Sequence, residues 1–514
     1  MVQAINTLNT PPPGRGDGPS TGLALLLLAV LNGAAHFLPP ERSALAPDDY
    51  TYLVRVHGKT LADLPRLVAD NPSRPLSEVF LILQTWTVDG NPVRGLLLLC
   101  LSSTLLLFVC HLFFVTVLGE RRSALVASAV YCLLPQKLES YHTPVFINVN
   151  VACTVYLASA FLFFKAVQRS RPALAAASVV LYALGVFWYE VGFFLPLALW
   201  AWTRMEGRPV ASRAPWLLFG LPASAYLAYR FLHPDPAAGR AVGLTTRPLV
   251  DVFHHYAGAF FALDVANGVY NFVRMEGPWL LAAVLIDAGL VWILYRLATP
   301  ATPALQRAGT VSRGAAWFVI LLLPLFLRGS GGVAGRHLIL PSVGLALVMG
   351  TLLMRSKPRH TWHWGALVAA ALVVSQGNGW AQVVACRINA AVYRAVGRAD
   401  IAGARAVVFD LRSFTDRIPS SWARLDFDLL SSYYGAQAFA DWGLSSMVHL
   451  TAGHDRTPVY FAVVRPARSG PDRLTFVAGR GNGMRSMVRE PVTLPAEGTV
   501  VIGFADAFGE GFQP

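Results

Sequence analysis

The chain has 514 residues, of which 54% are apolar and only 14% charged, against roughly a quarter charged in an ordinary soluble domain. That balance excludes disorder over most of the length, because disorder needs low hydrophobicity and high charge. With 42 basic against 29 acidic residues the formal charge is +13, which suits a nucleic-acid binder unless the basic residues serve another purpose.

A polar tail, residues 1–21, precedes the first apolar run. About 20 mostly apolar residues cross a bilayer as a helix. Candidate membrane segments lie at 22–38, 95–118, 123–135, 144–164, 173–187, 191–203, 214–232, 278–297, 315–328, 336–354 and 362–384. The segments 123–135 and 191–203 are short, so they are either longer helices with polar ends or partly re-entrant. The first run is read as a membrane helix and not a cleaved leader. Only Arg15, offset by Asp17, precedes it, and no clear small-residue cleavage site stands before Pro39.

Placing the first tail inside sorts the charges. The inner connections then hold Arg121 and Arg122; Lys165, Arg169 and Arg171; Arg204, Arg208 and Arg213; Arg296, Arg307 and Arg313; and Arg355, Lys357 and Arg359. Against these stand only the acids Asp17, Glu120 and Glu206. Short basic connections on one side obey the positive-inside rule, so the N-terminus is inside and the C-terminus outside. The excess positive charge is a topology signal, and no nucleic-acid partner is expected.

The outer face receives residues 39–94, the loop 233–277, the short loop 329–335 and a tail, 385–514. Alternating apolar residues at Val407–Phe409, Val459–Val464, Leu474–Val477 and Val500–Phe504 read as strands. The stretch Trp422–Trp442 reads as helical. The fold class is an α-helical polytopic membrane protein, 22–384, of about eleven transmembrane helices, with a small extracytoplasmic α+β domain.

Candidate chemistry begins with Asp48 and Asp49 in the first outer loop. Two adjacent carboxylates near a membrane surface can act as a general base or bind a cation. The plain alternative is helix capping. After them, Leu53, Val56, Leu61, Leu64 and Val68 form an apolar stripe that Gly58 breaks into two short helices, suited to the membrane interface or to packing in the loop. Lys137 and Glu139 stand in a short outer loop. Glu190 follows Tyr189 at a helix mouth with apolar sequence on both sides. A carboxylate there faces a cavity or serves a structural ion pair. Arg336 and His337 follow a Gly-rich stretch and open a membrane helix. The planar guanidinium of Arg336 matches phosphate oxygens, and the alternative is an arginine snorkelling to the interface.

The five cysteines, Cys100, Cys110, Cys132, Cys153 and Cys386, have no CxxC or CxxH neighbour, so neither a zinc site nor a disulfide framework is encoded. His254 and His255 lack the i, i+4 spacing of a helical metal pair. No cofactor is expected, a divalent metal being the only candidate. Gly479–Gly483 is not followed by the GK[ST] of a P-loop and reads as a turn.

Several landmarks recur in one order. The acidic pair follows the first helix. Ser73-Arg74-Pro75-Leu76-Ser77 precedes an aromatic stretch ending Asp89-Gly90-Asn91-Pro92. A helix ends Leu133-Leu134-Pro135, with Glu139-Ser140-Tyr141 after it. Then come Tyr189-Glu190 and Gly335-Arg336-His337-Leu338-Ile339-Leu340-Pro341-Ser342-Val343-Gly344. Over residues 22–354 this resembles the membrane-embedded GT-C glycosyltransferases, close to the protein O-mannosyltransferase and TMTC-like branch. Leu134 stands where that family has His, Tyr189 where it has Lys, and His337 where it has an aromatic residue. No tetratricopeptide repeats follow the last helix.

The resemblance implies an inverting transferase of the plasma membrane, the inner membrane of a bacterium. It would take a sugar from a polyprenyl-phosphate donor to a glycan, lipid or protein acceptor on the outer face. It implies Asp48 or Asp49 as general base, and Arg336 and His337 as contacts to the donor phosphate. Glu190, Tyr189, Glu139, Lys137 and Arg74 would line the cavity. Two other readings stand beside it. One is a transporter or flippase for a lipid-linked substrate, with Glu190 and Arg336 along its path. The other is a catalytically silent membrane scaffold.

Overall fold

The computed structural model describes residues 19–38, 40–41, 47–56, 58–70, 72, 74–134, 141, 143–207, 214–233, 250, 252, 263–298, 309–326, 335–355, 361–410, 413, 441–453, 457–480, 488–503 and 506–507. Lys137, Glu139, His254, His255, most of the 422–442 stretch and most of the 479–483 turn lie outside them.

Each of the eleven apolar runs forms a helix. They are α1 (Thr21–Phe37), α5 (Pro92–Leu118), α6 (Arg121–Leu133), α7 (Ile147–Arg169), α8 (Pro172–Trp188), α9 (Leu195–Met205), α10 (Ala214–Leu232), α12 (Gly277–Ala298), α13 (Thr310–Phe326), α14 (Pro341–Arg355) and α15 (Thr361–Arg398). A further helix, α11 (Leu263–Val273), precedes α12. Four described spans, Pro92–Leu118, Pro144–Arg169, Gly277–Arg296 and Trp362–Arg398, are long and apolar enough to cross a membrane. The chain is a multi-pass membrane protein.

Local chemistry sets the helix ends. Asn91 Oδ1 accepts from the backbone N–H of Val93 at 2.9 Å and of Arg94 at 3.1 Å, and Pro92 opens α5; both are good starting residues for a helix. On the outward face of α5, Leu97, Leu101 and Leu105 are at least half exposed. Its inward face buries Leu99, Leu106, Cys110 and Phe113. A helix that is apolar on both faces belongs in lipid. At the bundle centre Phe113, Trp202 and Trp317 meet with ring centroids 5.2 to 6.4 Å apart.

The first outer loop folds as α2 (Pro47–Val56), a 3₁₀ turn (Leu61–Asp63), α3 (Leu64–Asp70) and α4 (Pro75–Val88). Gly58, at φ +67°, makes the break between the first two. The buried carboxylate of Glu78 on α4 pairs with Arg55 on α2 at 3.0 Å. Arg55 also donates to the carbonyl of Leu67 at 3.2 Å. One arginine thus ties the three helices of the loop.

Helix α15 runs beyond residue 384, where the sequence placed the end of the last membrane segment. It continues because Ile388, Val392, Val396 and Ala385 keep an apolar stripe, and that stripe packs onto the C-terminal sheet. Near this boundary Arg387 donates to Glu41 and to Glu276, each at 2.5 Å, and Trp279 Nε1 donates to Glu41 at 2.7 Å. The three contacts clamp the exit of α1 and the α11–α12 turn to α15.

The C-terminal unit has strands β1 (Ala406–Asp410), β2 (Val459–Gly470), β3 (Arg473–Arg480), β4 (Val488–Pro495) and β5 (Thr499–Ile502), with α16 (Asp441–Ala452) before β2. The sheet order is β4-β3-β2-β1-β5. Strand β1 lies parallel to both neighbours, with Val407 opposite Val459 and Val500. Strand β4 carries Arg489, Glu490, Pro491 and Pro495, and this composition conceals it from a periodicity reading. Helix α16 packs against the sheet through Leu444 and Val448, and also against α2. The C-terminal unit therefore abuts the helix that bears the acidic pair.

Candidate functional site

Three 3₁₀ turns at one end of the bundle form the site: Pro144–Phe146 before α7, Glu190–Gly192 before α9, and Gly335–Leu338 before α14. The sequence placed Arg336 and His337 at the opening of a helix. The structure sets them on a separate turn, because Pro341 starts α14 afresh and a proline disfavours the helical conformation in the residue before it.

The guanidinium of Arg74, the residue just ahead of α4, grips Glu190 with two hydrogen bonds, Nε at 2.9 Å and Nη2 at 2.7 Å. The same guanidinium lies 4.1 Å over the Tyr189 ring. The His337 ring is nearly parallel to that of Tyr189, with centroids 6.5 Å apart. Arg336 sits 4.8 Å from the centre of the Phe146 ring. Asp49 Oδ1 accepts from the backbone N–H of Val145 at 2.6 Å. Asp49, Tyr189, Glu190, Arg74, Arg336 and His337 thus belong to one contiguous cluster. The side chain of Asp48 lies outside the described residues.

The acidic pair occupies the first turn of α2. Asp49 is only 5% exposed, and its carboxylate holds the Pro144–Phe146 turn by a charge-assisted bond, stronger than a neutral one. Arg74 stays a cation throughout the accessible pH range. Burial opposes its charge, but the neighbouring Glu190 carboxylate more than offsets that and holds its pKa well above the ordinary arginine value.

Neighbouring residues, among them Tyr156, Asn148 and Trp317, which sequence reading did not single out, position these groups. Tyr156, on α7, donates its hydroxyl to the carbonyl of Tyr189 at 2.9 Å. Asn148 Nδ2 donates to Ser77 Oγ at 2.5 Å, and Trp188 Nε1 donates to Asn148 Oδ1. Trp317 Nε1 reaches the carbonyl of Leu340 at 3.0 Å, anchoring the strap behind Arg336 and His337. Tyr156, Asn148 and Trp317 sit in apolar runs and carry no local pattern, since contacts between distant helices leave no periodicity. The hydroxyl of Tyr189 is buried and has no hydrogen-bond partner among the described residues.

The ring of Tyr156 is wedged against two glycines. A Cβ on Gly185 would stand 2.7 Å from it and one on Gly192 2.6 Å. No real Cβ approaches that closely, and the ring is fully buried. Gly192→Ala is expected to displace Tyr156, break its bond to the Tyr189 carbonyl and cost about 1–3 kcal/mol through overpacking. A drop in the melting temperature of the detergent-solubilised protein, recovered by the added Tyr156→Leu change, is the measurement. An unchanged melt would refute the wedge.

Among the described residues no three His, Cys, Asp or Glu side chains gather to hold a metal ion.

No family model and no curated protein matches the chain. Among solved structures it is similar to the archaeal oligosaccharyltransferase AglB from Archaeoglobus fulgidus, in complex with an inhibitory peptide and a dolichol-phosphate. The identity is 14% and the TM-score 0.41, over 85% of this chain and 64% of that one. It is also similar to ArnT from Cupriavidus metallidurans bound to undecaprenyl phosphate, with 15% identity and a TM-score of 0.39 over 85% of this chain and 78% of that one. The chain spans 64% of the length of the archaeal protein.

Proposed function

We propose that this protein is a membrane glycosyltransferase of the GT-C kind. It takes a sugar from a polyprenyl-phosphate donor and transfers it, with inversion, to an acceptor hydroxyl on the outer face. The observation that carries this reading is the convergence of landmarks from four distant parts of the sequence. Arg74 contacts both Glu190 and the Tyr189 ring, His337 lies parallel to that ring, Arg336 lies over Phe146, and the acidic helix is pinned beside them through Asp49 and Val145.

The chemistry fits the groups present. Two arginines and the starts of α7, α9 and α14 surround the cluster. Guanidinium groups suit phosphate oxygens, and helix N-termini favour anions. We assign the base to Asp48, because Asp49 is already engaged by the Val145 N–H. In the transfer step Asp48 takes the acceptor proton while the acceptor oxygen bonds to the sugar C1. The bond from C1 to the phosphate oxygen breaks, and the polyprenyl phosphate leaves with its charge stabilised by Arg336 and Arg74. A single displacement of this kind inverts C1. Preorganised cations at a developing charge are the largest usual source of such stabilisation. The basic inner connections support placing this mouth outside.

The buried Tyr189 hydroxyl tests the reading. A phosphate oxygen or sugar hydroxyl would satisfy it, whereas in the free protein it costs stability. Tyr189→Phe is therefore expected to raise the donor KM about fivefold to tenfold, one hydrogen bond being about 1–1.5 kcal/mol, without lowering the melting temperature. The assay is transfer from labelled polyprenyl-phosphate sugars in membranes holding the protein. Absence of transfer with every donor sugar, while the protein stays folded, would sink the proposal.

A further inference from the structure

Helices α8, α9 and α10 enclose an apolar groove of about 600 Å³, within the roughly 300–1,000 Å³ of small-molecule sites. Phe193, Leu197, Trp200, Trp216, Leu217 and Gly220 form its walls. The groove opens to the exterior of the bundle, where Trp200 is 43% and Leu217 70% exposed. Arg204 is the one charged side chain among the described residues that lines it.

Arg204 lies 5.7 Å from the Trp200 ring. The nearby carboxylate of Glu206 is taken by Arg313 at 2.8 Å, with Arg313 only 2% and Glu206 12% exposed. No carboxylate among the described residues pairs with Arg204. A guanidinium that no described carboxylate pairs, at an apolar groove lined by tryptophans, matches an amphiphile with an anionic head and a hydrocarbon chain. Tryptophans favour the headgroup level of a bilayer.

We propose that this groove binds an anionic phospholipid, with one acyl chain along the aromatic walls and the phosphate on Arg204. The occupant is distinct from the sugar carrier of the proposed reaction. Arg204 lies at the far end of α9 from Glu190, and the nine steps from Leu195 to Arg204 rise about 14 Å. A phosphate on Arg204 therefore stands at the end of α9 remote from the Arg74–Glu190 contact, and none of the cluster's residues lines the groove.

The test uses the full chain in nanodiscs of equal parts phosphatidylglycerol and phosphatidylcholine, released into detergent for native mass spectrometry. Wild type is expected to retain phosphatidylglycerol in preference. Arg204→Gln should reduce that preference about fivefold, as removal of one basic contact to an anionic surface does. Gly220→Trp gives a second, independent variant, because a Cβ at Gly220 meets nothing within 4 Å. The indole then fills the groove without a backbone clash, and retention of both lipids should fall. Equal retention of the two lipids by wild type, or an unchanged preference in Arg204→Gln, overturns the proposal. So does displacement of the bound phosphatidylglycerol by an equimolar polyprenyl phosphate, which would make the groove a carrier site.

Discussion

Asp48→Asn is expected to lower transfer by about 10²–10⁴-fold, the usual contribution of a positioned general base, with no change in the melting temperature. Asp49 should behave in the opposite way. Its Oδ1 holds the Val145 N–H at 2.6 Å in a buried setting. Asp49→Ala leaves that N–H without its acceptor and should cost about 1–3 kcal/mol of stability. Asp49→Asn keeps an oxygen acceptor in the same place and should restore most of it. The check pairs a transfer assay with thermal melts on the three variants. Normal transfer by Asp48→Asn, with the loss falling on Asp49→Asn, would move the base to Asp49. Normal transfer by both asparagine variants would remove the acidic pair from the chemistry altogether.

The second large effect lies at the Arg74–Glu190 pair. Removing one partner of a fully buried pair costs about 3–5 kcal/mol. Here the side chains are 23% and 35% exposed, and solvent screening brings the figure down to about 1–3 kcal/mol. Arg74→Ala should cost that much stability and, separately, lower kcat/KM by about 10- to 100-fold, because the leaving phosphate loses one of its two cations. Arg74→Lys should not rescue, since an ammonium cannot reproduce the two-pronged contact. The swapped double variant, Arg74→Glu with Glu190→Arg, should regain stability without regaining transfer. Full activity in the swap would mean that the pair only braces the fold.

Much of the bundle was legible from the chain alone. All eleven apolar runs are helices, because hydropathy over about 20 residues is a local property and needs no partner. The break at Gly58 was legible for the same reason. Four of the five strands followed from alternation, while β4 escaped because its charged residues and prolines mask the period. The length of α15 past residue 384 was not legible either. Its last turns are covered by the C-terminal sheet and not by lipid, so hydropathy falls although the helix continues.

For the candidate site, residue type and order singled out Arg74, Tyr189, Glu190, Arg336, His337 and the acidic pair. They did not tell which contact each makes. A lone glutamate at a helix mouth reads equally as a cavity wall or as an ion-pair partner. Only the folded chain brings Arg74, 116 positions earlier, against Glu190. Likewise Asp48 and Asp49 are equivalent in the sequence. Tertiary structure separates them by bringing the Val145 N–H to Asp49, a contact across 96 positions. The sequence by itself determined the apolar helices, their order and the list of polar groups at their ends, since these depend on short-range composition. Only the tertiary structure decided the Arg74–Glu190 grip, the wedge of Tyr156 against Gly185 and Gly192, and the contact of Asp49 with the Val145 N–H. Each of those depends on which helix ends pack side by side, and that is settled by long-range burial.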